Sequence, residues 1–217
     1  MEFETSAGPR EIEITHAVVA GWTARDRAAV DHHIEELASL GVAPPSKVPL
    51  YYRVAQGLLT QDSAIEVVGA DSSGEIEPLV VRAEGTLWLG LASDHTDRAL
   101  EATSVALSKQ VCAKPICGAL WRFEEVAGHL DRLELSCEIE EAGGWVVYQA
   151  GTLAAIRPLD ELIAGAPLQE GGAMLCGTLA AIGGVRPATA YRMQLGDPVL
   201  GRALTFEYRV TALPVVA

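Results

Sequence analysis

The sequence predicts an α+β fold dominated by strands. Short apolar or alternating runs, bounded by Gly, Pro and Asp, fill most of residues 64–210. A clear helical stripe is confined to residues 26–40, with weaker helical segments at 96–109 and 159–164. The strands do not alternate regularly with helices, which argues against a doubly wound parallel sheet. The chain has 217 residues, 49% of them apolar, enough for one large core. No linker-like stretch interrupts it, so a single domain over residues 1–217 is expected.

Each element has a local reason. Residues 11–20 alternate and then turn apolar, as a strand running into Gly21 would. In residues 26–40, Asp26 caps a helix whose Val30, Ile34, Leu37 and Leu40 recur at helical spacing. Gly41 ends it, and Pro44-Pro45 prevents its resumption. Residues 48–52 form a short apolar segment. Residues 64–68, 76–82 and 86–91 read as strands, the last two joined by a turn at Ala83-Glu84-Gly85. Residues 114–125 read as a loop. Residues 133–139 and 145–149 flank Gly143-Gly144, a hairpin signal. Residues 173–176, 191–195 and 204–210 complete the strands.

The net charge is −13, and no Lys/Arg block or basic stripe is present, so nucleic acid is not an expected partner. No apolar run approaches the ~18 residues a membrane helix needs. The N-terminus, Met1-Glu2-Phe3-Glu4-Thr5, has neither the basic nor the apolar region of a signal peptide. Cys112, Cys117, Cys137 and Cys176 show no CxxC spacing and read as reduced, buried thiols. The expected location is therefore cytoplasmic.

The chemistry-bearing residues centre on Glu75 and Glu77. At i and i+2 of a strand, both carboxylates face the same side. Asp94 follows the next apolar run, so pairing of the two runs brings three carboxylates to one sheet end. Such a set, without cysteine or clustered histidine, suits Mg²⁺ or Mn²⁺ rather than Zn²⁺. Asp97 reads as a competing ligand or as a helix N-cap. His33 and Glu36, at i and i+3 of the first helix, can form a carboxylate-tuned general base, as can His32 with Glu35. Lys109, at a helix end, can neutralise a substrate carboxylate or enolate, or simply complement the helix dipole. The turn around Gly177-Thr178 offers N–H groups and a hydroxyl to an anion.

Taken in order, these pieces resemble the fumarylacetoacetate hydrolase superfamily. That family orders a His-x-x-Glu element, a Glu-x-Glu pair, an Asp-x-Thr-x-Arg segment, a lysine and a late Gly-Thr turn. The matching residues here are His33 with Glu36, Glu75 with Glu77, Asp94-His95-Thr96-Asp97-Arg98, Lys109, and Cys176-Gly177-Thr178-Leu179. Tyr148-Gln149-Ala150-Gly151-Thr152 resembles the family's Gln-x-Gly-x-Thr strand end. The chain also resembles a small bacterial domain family through Leu89-Gly90 and the Ser93–Arg98 segment.

The resemblance implies a β-rich roll with a few short helices, commonly a homodimer, acting on a small 2-oxo or β-diketo acid. The reaction would be C–C hydrolysis, decarboxylation or hydration through a metal-stabilised enolate. Glu75, Glu77 and Asp94 would hold Mg²⁺ or Mn²⁺. His33, Glu36 and Lys109 would be catalytic, and Arg98, Gln149 and Thr178 would bind substrate. This chain departs from the family in the short segment between Glu77 and Asp94, in Gln110 after the lysine, in Leu179 after Gly-Thr, and in Leu153–Ile156. The alternative expectation is a catalytically degenerate protein of the same fold that binds a small anionic metabolite.

Overall fold

A computed structural model describes residues 1–39, 44–166 and 168–216, apart from the side chains of Ala29, His33, Glu36, Leu37 and Ser39. Two sheets dominate. The first has eight strands in the order Arg10–Glu11, Glu2–Thr5, Ala119–Arg122, Thr86–Ser93, Ile76–Ala83, Gly172–Leu175, His16–Gly21 and Leu50–Val54. The second has five, in the order Gly144–Thr152, Glu134–Glu141, Ala190–Asp197, Arg202–Leu213 and Ala64–Val68. Helices are few and short, so the strand-rich α+β reading holds.

The central strand Ile76–Ala83 is apolar almost throughout because both its faces are covered. Val80, with Leu89, Leu91 and Met174, packs toward Leu135, Ile139, Tyr191, Leu195 and Tyr208 of the five-stranded sheet. Leu79 and Val81 pack on the opposite side with Trp88, Phe3, Ile116 and Leu120. Gly90 lets the Leu120 side chain pack close, since a Cβ there would lie 2.6 Å from Leu120 Cδ2 and force it to shift.

Several expectations are corrected. Residues 96–109 are not one helix: Thr96–Asp97 pairs with Ser72–Ser73, and two short helices follow, Arg98–Glu101 and Val105–Gln110. Ser104 separates them, extended at φ −160°, with its hydroxyl accepting from Leu107 N to cap the second helix. The expected loop 114–125 contains the strands Lys114–Pro115 and Ala119–Arg122 and the helix Phe123–Val126. The later hairpin turns at Ala142 (φ 50°) and Gly143 (φ 81°), while Gly144 already pairs with Glu141. The expected 83–85 turn is present, with Glu84 at φ 53° and Gly85 at φ 70°. The first helix spans Arg27–Ser39, and its expected end at Leu40 and Gly41 lies outside the described residues. Among the described residues, no helix is long and apolar enough to cross a membrane.

Candidate metal centre

The carboxylates converge because of strand register. Ile76 pairs antiparallel with Ser93 and Glu77 with Ala92. One step further, Asp94 N donates to Glu75 O at 2.9 Å, so Asp94 lies across from Glu75. Cross-strand neighbours share a face, and so do i and i+2. One carboxylate oxygen each from Glu75, Glu77 and Asp94 consequently lies within 4.8 Å of the others.

The surroundings are tightly built. Gly177 N donates to Glu77 Oε2 at 2.7 Å. Lys109 Nζ donates to Asp94 Oδ2. Lys114 Nζ lies 3.2 Å from Asp94 Oδ1 and donates to His95 O at 2.5 Å. Arg98 reaches Glu75 Oε1 (3.1 Å), Glu101 Oε2 (2.9 Å) and Ser73 Oγ (2.7 Å). Asp97 is the N-cap of Arg98–Glu101, its Oδ1 accepting from Leu100 N, which settles its role as a cap.

Burial decides the electrostatics. Glu77 is 2% exposed and Asp94 is fully buried. Burial, and then the charge of Asp94, push the Glu77 carboxyl well above the usual carboxylate range, against the opposing pull of Lys109 and the Gly177 N–H. Burial would raise Asp94 too, but Lys109 and Lys114 outweigh it and hold that carboxyl low. Burial would also lower Lys109, yet Asp94, Glu75 and Glu77 together pull its ammonium above its ordinary value. A divalent cation fits this set. The donors are hard carboxylate oxygens, and the buried Asp94 Oδ1 has only the Lys114 ammonium, 3.2 Å away, as its ion-pair neighbour among the described residues. Glu77 itself makes no ion pair among those found in the described residues.

The residues expected to contact substrate are engaged with the protein. The Gln149 side chain is fully buried. Its Oε1 accepts from Ile76 N at 3.0 Å, and its Nε2 donates to Thr178 Oγ1 at 2.8 Å and Leu179 O at 2.6 Å. Thr178 Oγ1 in turn donates to Ile76 O at 2.7 Å. Gln149 and Thr178 thus clamp the peptide between Glu75 and Glu77, and Arg98 holds Glu75 itself. Both Nε2 donors of Gln149, expected to contact substrate, are taken up in this bracing.

His33 and Glu36 lie on helix Arg27–Ser39, but their side chains fall outside the described residues. Thr23, just before that helix, packs against Gly177. His95, adjoining Asp94, is not a free base. Its Nδ1 lies 3.0 Å from Tyr208 OH and its Nε2 2.9 Å from Ser72 Oγ. Burial, reinforced by Lys114 and Arg98, lowers it to about 3, so the ring stays neutral. Lys114 was missed at the sequence level, since nothing around Lys114-Pro115 distinguishes a wholly buried lysine from a solvated one.

The fold is β-rich and gathers at one sheet end three carboxylates that could hold a metal ion. The chain belongs to the DUF2848 family, described as a protein family of unknown function, which it matches over residues 20–208. No curated protein sequence matches it. Its fold is similar to that of 2-keto-3-deoxy-D-arabinonate dehydratase complexed with magnesium and 2,5-dioxopentanoate, at 15% identity and TM-score 0.65, covering 94% of this chain and 75% of that one. It is also similar to Cg1458, at 15% identity and TM-score 0.63 over 95% and 81% of the two chains. An uncharacterised protein from Mycobacterium abscessus matches at 17% identity and TM-score 0.61, over 96% and 84%. At such identities the likeness speaks for the fold alone.

Proposed function

We propose that this protein is a Mg²⁺- or Mn²⁺-dependent hydrolase or lyase acting on a small 2-oxo or β-diketo acid. The observation that carries the reading is the convergence of Glu75, Glu77 and Asp94, two of them buried, within 4.8 Å. Carboxylates gathered this closely favour a cation among them, and Lys109, Lys114 and Arg98 already stand on Asp94 and Glu75. A similarly folded dehydratase that holds magnesium and a dioxo acid supports the same chemistry.

A bound divalent cation would polarise the carbonyl of an oxo acid and offset negative charge developing on its oxygen. The chain's own residues set the stage. Arg98 and Gly177 hold Glu75 and Glu77 in place, while Gln149 and Thr178 fix the backbone between them. Lys109 supplies a cation at the site, suited to a substrate carboxylate. His33 with Glu36 is the proposed proton-transfer pair.

The test is calorimetric titration of metal-stripped protein with Mg²⁺ and Mn²⁺, with and without oxalate, a mimic of a chelating oxo-acid enolate. Binding that tightens with oxalate supports the reading and directs a screen of 2-oxo acids. Absence of binding at millimolar metal, by wild type and by a variant lacking the Lys109 ammonium alike, would overturn it.

A further inference from the structure

The most unusual electrostatic feature of the site is that one buried carboxylate meets two lysines. Asp94 takes Lys109 on Oδ2 and Lys114 near Oδ1. The two lysines are not equivalent. Lys114 is completely enclosed, and its ammonium is anchored a second time on the His95 carbonyl at 2.5 Å. Lys109 stands near the end of the short helix Val105–Gln110, and its side chain keeps a small opening to solvent. Asp94 is the sole acceptor of a Lys109 ammonium hydrogen bond among the described residues.

We infer that Lys109 is a built-in competitor of the divalent cation, its ammonium resting on Asp94 until metal entry displaces it. This rests on the metal-centre reading proposed above. The ammonium sits on Asp94 Oδ2, and the Asp94 carboxylate is one of three whose oxygens lie within 4.8 Å of one another. A divalent ion at the trio cannot share that position with a monovalent one, because like charges a few ångströms apart repel strongly in a buried site. Lys114 cannot yield, since it is walled in. Lys109 can, and a second station is already beside it. The ring of Tyr52 lies 5.9 Å from its Nζ, within cation–π range, and is steadied by a Trp22 Nε1–H bond to Tyr52 OH at 3.1 Å. Lys114 would keep Asp94 partly neutralised throughout, so departure of Lys109 does not strand a buried, unpaired charge.

The inference reverses the ordinary expectation for a residue at a metal site: removing Lys109 should strengthen metal binding. Calorimetric titration of metal-stripped wild type and Lys109→Met with Mn²⁺ alone tests this. A dissociation constant lowered at least about tenfold in Lys109→Met is expected. Binding by the variant without detectable binding by wild type would support it equally. Unchanged or weaker binding in the variant, with wild type binding normally, overturns this inference and leaves the metal centre standing. Binding by neither protein overturns both.

A second measurement needs no substitution. Acetylation of Lys109 in wild type, followed by peptide mass spectrometry, should rise several-fold when Mn²⁺ is added. Unchanged labelling while calorimetry shows bound metal would overturn the displacement.

Discussion

The backbone N–H of Gly177 donates to Oε2 of Glu77 at 2.7 Å, across a hundred residues of sequence. It is the one hydrogen bond found on this buried carboxylate among the described residues. Gly177 makes it from φ +94°, a conformation that side chains rarely adopt, and a Cβ there would collide with Thr23 Oγ1. The late Gly-Thr turn is thus fitted to hold a carboxylate of the trio while passing close to the segment that leads into the first helix.

Gly177→Ala should therefore fail on two counts. The strained φ and the collision with Thr23 should cost on the order of 2–4 kcal/mol in chemical denaturation. Rearrangement of the turn should also move the N–H from Glu77 and weaken Mn²⁺ binding. Wild-type metal affinity in a folded Gly177→Ala protein would remove Gly177 from any role in holding Glu77.

Glu77→Gln should separate stability from metal affinity. The Glu77 carboxyl is raised in the folded chain by burial and by Asp94. Below the ordinary carboxylate value it is protonated in folded and unfolded chains alike. Between that value and its raised folded value, only the folded chain keeps the proton, so stability is lost as pH rises through the folded value. A neutral amide escapes that loss. Metal-free Glu77→Gln should melt higher than wild type at neutral pH, with the difference shrinking toward pH 4, and should bind Mn²⁺ more weakly. A lower melting temperature at neutral pH would contradict the assigned sign.

Gln149→Leu should act through the clamp alone. The substitution removes the partner of the buried Ile76 N–H and takes a donor from Thr178 and from the Leu179 carbonyl. Each orphaned buried group costs about 1–3 kcal/mol. Denaturant melts should show the loss, and Mn²⁺ affinity should fall with it as the Glu75–Glu77 peptide loosens. A fully stable Gln149→Leu protein that has lost only affinity for oxalate would make Gln149 a ligand contact rather than a brace.

The carboxylate trio was legible in sequence because its geometry depends on two local rules, strand alternation and hairpin register. The partners of Arg98, Gln149 and Thr178 were not legible, because a residue's hydrogen-bond partner is a tertiary fact. The same spacing serves a residue that touches a ligand and one that braces a ligand's holder. Lys114 was hidden for a related reason. Its strand pairs with Leu59–Thr60 and its ammonium meets Asp94 and the His95 carbonyl, all partners that the local sequence does not name. The 96–109 stretch was misread as one helix because its apolar positions suit a helix, whereas the Ser104 hydroxyl starts a new one. The segment's first residues are drawn instead into pairing with Ser72–Ser73.

The later hairpin offers a stability test remote from the site. Its turn places Ala142 at φ 50° and Gly143 at φ 81°, the double left-handed geometry of a two-residue turn between twisted antiparallel strands. Sequence reading put the turn one residue later because the Gly143-Gly144 pair carried the obvious signal. Ala142 is exposed and is the residue that bears the strain. Asparagine tolerates positive φ far better than alanine and is favoured at the first central position of this turn. Ala142→Asn should stabilise the chain by about 0.5–1 kcal/mol, read as a higher melting temperature with unchanged Mn²⁺ affinity. Ala142→Pro, whose ring forbids positive φ, should destabilise it instead. A stabilised Ala142→Pro or a destabilised Ala142→Asn protein would show that the turn is not the one described.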